Sequence, residues 1–349
     1  RVLFRSRLDR LTGPGVGGAL AQATTAPGYA TLAAGAATLT LLPSLGGRVR
    51  DVNLGGRQWL WHNPDAAFTV ASEDASLGEA VGSGGFDECF PTIAPCRLPD
   101  WVEGAAGQKV AERGALWRQR CETVVGTGEF GNSATCTWTV APPAFTFERR
   151  VTVRPDGMID FGYAATNAGA HRAPFLWAAH PVFPLTPETR IVLPAGAKTR
   201  VLMADGAACE AGDTLHSWPC LRATGGMVDA SRPATLGERY ACTMFVELPR
   251  TETVIAIEEG AARLEMRVHG RELSHAGIWI NRGVLAPTER KAPMIRWRRP
   301  STYSTLTIGP CLGAPESLAD ALGDWETARW IDPGATARWT MTWRAGASA

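Results

Sequence analysis

The chain has 349 residues, 45% of them hydrophobic, which is ample for a sizeable core in one large domain or two ordinary ones. Basic and acidic residues nearly cancel, 35 against 34, so charge gives no sign of nucleic acid or an anionic membrane as partner. No stretch approaches the roughly 20 consecutive apolar residues of a membrane span. The eight cysteines contain no Cys-x-x-Cys pair and the six histidines are widely spaced, so no metal site is expected. Free thiols in a chain of this size favour a reducing compartment, and cytoplasm is the expected location.

Residues 1–6, Arg-Val-Leu-Phe-Arg-Ser, resemble the translation of a common sequencing-adapter tail and are set apart as non-native. Residues 1–35 as a whole, rich in Gly, Ala and Thr, predict a loose lead-in, with a single domain over 36–345. Strands are expected at Leu39–Leu42, at Val49–Leu54 and at Trp59–Trp61, punctuated by Gly46-Gly47 and Gly55-Gly56 as turn signals. About 65–112 the pattern fails. This long irregular stretch carries Gly84-Gly-Phe-Asp-Glu-Cys-Phe-Pro-Thr-Ile-Ala-Pro-Cys96, too apolar for a linker. It is expected to be a packed loop holding Asp87 and Glu88 at a cavity wall.

Alternation then takes over. Ala134, Cys136, Trp138 and Val140 share one parity; so do Phe145, Phe147, Val151 and Val153, with Arg149 as the one exception. Ile159–Tyr163, Ala262–Val268 and Ala335–Trp343 alternate likewise, and Glu316–Leu322 is the one helix expected. A period of two with one wet face marks antiparallel sheet, so the fold class is all-β, built of stacked sheets.

One stretch breaks the apolar pattern in a way that points to chemistry. Phe175-Leu-Trp-Ala-Ala-His180-Pro-Val-Phe-Pro184 reads as a buried strand with a histidine inside it. Pro181 and Pro184 should end the ladder, leaving His180 free to face a cavity with Trp177 nearby. Among thirteen tryptophans most belong to the core, but Trp177 and Trp279 are placed near polar groups and could form platforms for a sugar ring.

These same segments resemble the aldose 1-epimerases, and more narrowly the galactose mutarotase-like branch that carries Asp-Glu-Cys-Phe-Pro. The resemblance rests on Phe175–Pro181, Gly85–Thr92, Gly277-Ile-Trp-Ile-Asn281 and Gly309–Ala321, in order, and covers residues 36–344. It implies a β-supersandwich of large antiparallel sheets with a small-molecule sugar bound on the concave face, and no cofactor. It also implies His180 as general acid, opposite a carboxylate base, for opening and closing an aldose ring. Two positions depart from the family. Arg113-Gly114 stands where a His-Gly pair is typical, and Gly309 stands where the catalytic glutamate belongs. Asp87 or Glu88 is then expected to substitute as base, with Glu316 too far along the chain, and Gly309→Glu is expected to restore activity. Arg113, Trp177, Trp279, Asn281 and Arg57 are the expected substrate contacts; Arg57, Arg97 and Arg113 together would suit an acidic or phosphorylated sugar. The alternative is a non-catalytic sugar-binding or regulatory relative.

Overall fold

The computed structural model describes residues 23–26, 28–69, 82–284 and 303–348. Its first strands are β1 (Ala23–Ala26), β2 (Tyr29–Ala34), β3 (Ala37–Leu42), β4 (Arg48–Leu54), β5 (Arg57–Gln58), β6 (Phe86–Cys89), β7 (Cys96–Arg97), β8 (Lys109–Val110) and β9 (Glu122–Gly128). The middle of the chain adds β10 (Gly131–Val140), β11 (Phe145–Val153), β12 (Ile159–Asn167), β13 (Ala173–Phe175), β14 (Trp177–Pro184), β15 (Arg190–Val192), β16 (Lys198–Asp205), β17 (Leu215–Ser217), β18 (Cys220–Ala223) and β19 (Gly226–Asp229). The remainder gives β20 (Tyr240–Glu247), β21 (Glu252–Glu259), β22 (Ala262–His269), β23 (His275–Arg282), β24 (Ser304–Leu312), helix α1 (Leu318–Leu322), β25 (Arg329–Ile331) and β26 (Thr336–Ala347). Among the described residues no helix is long and apolar enough to cross a membrane.

Two antiparallel sheets carry the architecture. The larger has 14 strands in the order β1-β2-β3-β4-β6-β14-β24-β23-β20-β16-β17-β18-β19, with β5 attached to β4. The smaller has 8, in the order β15-β21-β22-β26-β12-β11-β10-β9. The expected alternation is what packs them. Trp138, Phe147, Phe161, Trp339, Met341 and Trp343 of the small sheet are buried against Phe86, Phe90, Trp177, Leu306 and Ile308 of the large one. Offset and tilted ring pairs, such as Phe90–Phe147 at 4.6 Å and Tyr163–Trp177 at 4.6 Å, fill the interface at distances where aromatic pairs attract.

Several local expectations change. Residues 23–26 and 29–34, placed in a loose lead-in, form β1 and β2 and pair from Ala23↔Leu32 onward, and Ala30, Leu32 and Ala34 of β2 continue the buried alternation of β3. Residues 1–6 lie outside the described residues. Trp59–Trp61 is not a strand; the short β5 precedes it, and Trp59 N–H still reaches the Val52 carbonyl at 3.0 Å. Glu316–Leu322 shortens to α1, where Ser317 Oγ accepts from Asp320 N–H and caps the first turn.

The segment expected as an irregular loop around Asp87 and Glu88 is instead a central strand. β6 pairs with β14 on one side, Asp87 opposite His180 and Glu88 opposite Ala179, and meets β4 on the other. Flanking prolines and glycines hide it in the sequence, since only four residues keep strand geometry. Nor does β14 end at Pro181. Its ladder with β24 is interrupted between Ala178↔Cys311 and Val182↔Thr307, while its pairing to β6 carries it through. A proline costs a strand only the hydrogen bond its missing N–H would make, and here that side is already unpaired.

Arg149, the one residue out of pattern in β11, is fully buried between the sheets. Its Nη1 donates to Glu88 Oε1 at 3.0 Å and its Nη2 to the Gly47 carbonyl. Tyr163 Oη and Trp177 Nε1 complete the set on Glu88, at 3.1 and 2.9 Å. Removing one partner from such a pair strands a buried charge, typically at a cost of about 3–5 kcal/mol. Arg149→Met should therefore lower the urea-unfolding free energy at pH 7 by about that amount. Arg149→Met combined with Glu88→Gln should recover part of the loss; a single variant as stable as the parent would contradict this role.

Candidate functional site

The face of the large sheet that points away from the core gathers the polar residues. In β14 the core takes Trp177, Ala179 and Phe183, which leaves His180 on the opposite face. In β6 the same pleat sends Phe86 and Glu88 inward and Asp87 outward beside His180. β23 contributes Trp279 and Asn281, since Ala276, Ile278 and Ile280 fill the core. β4 contributes Arg48.

These groups form one connected cluster. Asp87 Oδ1 accepts from Arg48 Nε at 2.8 Å, and its Oδ2 from Arg113 Nη1 at 3.4 Å. Arg113 Nη2 donates to His180 Nε2 at 3.3 Å. Arg48 Nη1 reaches Ser83 Oγ at 2.8 Å. A guanidinium has no acceptor atom, so Nε2 of His180 must supply a lone pair and the ring proton is assigned to Nδ1. Nδ1 is itself buried, with no hydrogen-bond partner among the described residues. Burial, followed by the Arg113 charge, holds His180 well below the usual imidazole range. The ring is therefore neutral at pH 7. The resemblance implies a general acid at this position, a role that suits an imidazole whose pKa lies near neutrality.

Arg113 is positioned by an unusual piece of backbone. Arg113, Gly114 and Ala115 have φ of 51°, 61° and 55°, all left-handed. A Cβ on Gly114 would lie 1.9 Å from the Phe90 carbonyl oxygen, so only glycine lets this loop close on the end of β6. Non-glycine residues held in this region cost on the order of 1–3 kcal/mol each, and such strain gathers where a side chain must be aimed.

The far wall is Trp279 and Glu316. The Trp279 ring lies 5.2 Å from that of His180, and its Nε1 donates to Glu316 Oε1. Glu316 is brought there by its own carbonyl, which accepts from Ile93 N–H at 3.0 Å and Ala94 N–H at 2.8 Å. Those two bonds fold the turn after β24 back over the sheet. Sequence distance from Gly309 suggested the opposite. Glu112 joins the rim: burial raises its carboxyl above the usual range, against the lowering pull of Arg113, and Glu316 raises it further.

Other expected site residues fall elsewhere. Glu88 is no base at a cavity wall; the pleat turns it into the core, where burial raises its carboxyl and Arg149 opposes the rise. Trp177 is fully buried against Tyr163 and Trp339 and cannot stack on a ligand. Arg57 lies over Trp59 at 4.9 Å and donates to the Glu259 carbonyl, away from His180. Arg97 donates to the Gly107 carbonyl. Asn281 is on the right face, two residues beyond Trp279, but its Oδ1 accepts from Val284 N–H at 3.1 Å. Arg48 and Glu112 were not foreseen as members of the cluster, and Glu316, a candidate base, was expected to lie too far away. Arg48 alone left a trace, as a charge inside the alternating run that begins β4. Among the described residues no three His, Cys, Asp or Glu side chains meet as a metal-ligating group.

Gly309 has a structural reason to be glycine. It pairs with Gly277 across β23–β24, and a Cβ there would lie 2.1 Å from the Ala179 carbonyl oxygen. No side chain fits while β14 and β24 keep this approach, so a glutamate at 309 cannot simply be restored.

No protein-family model matches the sequence, and no curated protein matches it significantly. Solved structures do match the fold. A putative aldose 1-epimerase from Escherichia coli K12 is similar with a TM-score of 0.62 at 16% identity, over 91% of this chain and 98% of that one. A galactose mutarotase-like protein from Clostridium acetobutylicum gives 0.60 at 10%, over 94% and 99%. A putative mutarotase from Salmonella typhimurium gives 0.59 at 10%, over 96% and 97%. The chain thus has the galactose mutarotase-like β-sandwich fold, spanning nearly the whole of these proteins. Identities this low speak for the fold alone.

Two outcomes follow from this geometry. Side-chain NMR of His180 should show a neutral, Nδ1-protonated ring at pH 7, and Arg113→Gln should raise its pKa by removing the neighbouring cation; a parent ring protonated at pH 7 would contradict the arrangement. Gly309→Ala should destabilise the fold by about 1–3 kcal/mol in urea unfolding, the usual range for forcing atoms into a packed site. A neutral effect would mean that β14 and β24 separate freely there.

Proposed function

We propose that this chain binds an aldose or aldose derivative over His180, Arg113, Asp87 and Trp279, and interconverts its anomers only weakly. The observation that carries this reading is the Arg113 bridge, which donates to both Asp87 and the imidazole of His180. Ring opening needs a group that releases a proton to the ring oxygen and another that takes one from the anomeric hydroxyl. In this cluster the imidazole is neutral, and its Nε2 lone pair and one oxygen of Asp87 are both engaged by a permanent cation. Such a set donates and accepts hydrogen bonds well but moves protons poorly. The half-buried Trp279 beside it offers an apolar surface for the carbon face of a sugar ring.

A second reading is a competent aldose 1-epimerase with Glu316 as its base. It is favoured by one contact, Trp279 Nε1 to Glu316 Oε1, which holds a carboxylate across the indole from His180.

Calorimetric titration with glucose and galactose, paired with polarimetry of freshly dissolved α-anomers, separates the readings. The proposal expects saturable binding that Trp279→Ala and Arg113→Ala each weaken at least about tenfold. It also expects anomer interconversion slower, by on the order of 10²–10⁴, than a positioned acid and base would give. Absence of binding to any aldose would end it. Fast interconversion lost in both His180→Ala and Glu316→Gln would favour the second reading.

A further inference from the structure

Beyond Trp279 a chain of aromatic contacts continues along this sheet. Trp279 meets Phe245 edge-on at 5.6 Å, and Phe245 meets Trp325 edge-on at 6.3 Å. The Arg200 guanidinium then lies over Trp325, 4.2 Å from the ring centroid. Phe245, Trp325, Arg200, Lys198, Glu247 and His275 line a cavity at this point. Glu247, His275 and Thr327 also line a larger cavity of about 700 Å³ beside it, so the two adjoin along these residues.

One polar group here lacks a partner. Arg200 Nε is buried and has no hydrogen-bond partner among the described residues, which is uncommon for a buried donor and invites a ligand or water. Ser274 Oγ accepts from Gly313 N–H at 3.2 Å and lies 2.9 Å from His275 Nδ1. With the hydroxyl hydrogen given to Nδ1, the ring proton is assigned to Nε2. Burial, then Arg329, holds His275 down to about 4, so the ring is a neutral donor. Charges balance across the smaller cavity, Lys198 and Arg200 against Glu247 and Asp324, with Lys198 Nζ 3.9 Å from Glu247 Oε2. A lining of mixed donors and acceptors beside a half-buried indole, without net charge, suits a neutral polyhydroxylated ring better than a phosphate or carboxylate.

We propose that Trp325, Arg200, Glu247, His275 and Thr327 form a second sugar subsite, so that the ligand is a neutral oligosaccharide. Its reducing-end unit lies over Trp279 and His180 and the next unit against Trp325. This rests on reading the His180–Trp279 region as a sugar site, and extends that reading from a monosaccharide to at least two linked units.

Calorimetric titration of the full chain with glucose, galactose, maltose, cellobiose and lactose tests the subsite. At least one disaccharide should bind about tenfold or more tightly than its monosaccharide. Trp325→Ala and, as a milder change, Arg200→Gln should erase that advantage while leaving monosaccharide affinity unchanged; thermal melts confirm that each variant folds. Equal affinity for monosaccharides and all three disaccharides would overturn the second subsite and leave the first intact. Disaccharide binding lost in Trp325→Ala but indifferent to Trp279→Ala would keep the second subsite and overturn the first. Binding of none of the five sugars would overturn both.

Discussion

The pleat of one short strand organises this protein. Successive side chains of a strand point to opposite faces, so two adjacent acids in β6 cannot share a task. Glu88 goes inward and meets Arg149, Tyr163 and Trp177, joining the two sheets through a fully buried charge pair. Asp87 goes outward and meets Arg48 and Arg113, anchoring the polar cluster beside His180. A shift of β6 by one residue would exchange these roles and leave charge unpaired on both faces. The hydrophobic register of Phe86 and Phe90 holds the assignment in place.

Cation placement then decides what the cluster can do. Arg113 reaches His180 only because a left-handed Arg-Gly-Ala turn presses against the end of β6. A guanidinium beside a half-buried imidazole favours the neutral ring, and its own charge is neutralised by Asp87. Two glycines are fixed here by backbone proximity, Gly114 against the Phe90 carbonyl and Gly309 against the Ala179 carbonyl. Of the two departures from the family pattern, the one at 309 is embedded in packing and is not reversed by exchanging one side chain.

Along the large sheet, the half-buried Trp279 and Trp325 are joined through the buried Phe245, and the polar surroundings change from Asp87 and Arg113 at one end to Glu247 and Arg200 at the other. Ligand recognition on a sheet face follows the every-second-residue spacing of each strand, so residues distant in sequence meet as lateral neighbours. Phe245 and Trp279 belong to neighbouring strands, β20 and β23, with Phe245 directly opposite Gly277.

By itself the sequence determined the architecture, because alternation of apolar and polar residues in β10, β11, β12, β22 and β26 has only one buried solution, a stacked antiparallel sandwich. It also singled out His180 and the Asp87-Glu88 pair, since charge inside apolar runs must be matched by something. Even the exception at Arg149 marked a partner in the core. The tertiary structure alone decided which acid faces which side, because a four-residue strand between glycines and prolines carries too little periodicity to show its pleat. It alone decided that Trp177 is core and Trp279 is not, since both sit in apolar runs and burial depends on the neighbouring strands. And it alone brought Glu316 and Arg48 to His180, through backbone hydrogen bonds and strand order that act between residues far apart in the chain and leave no spacing to read.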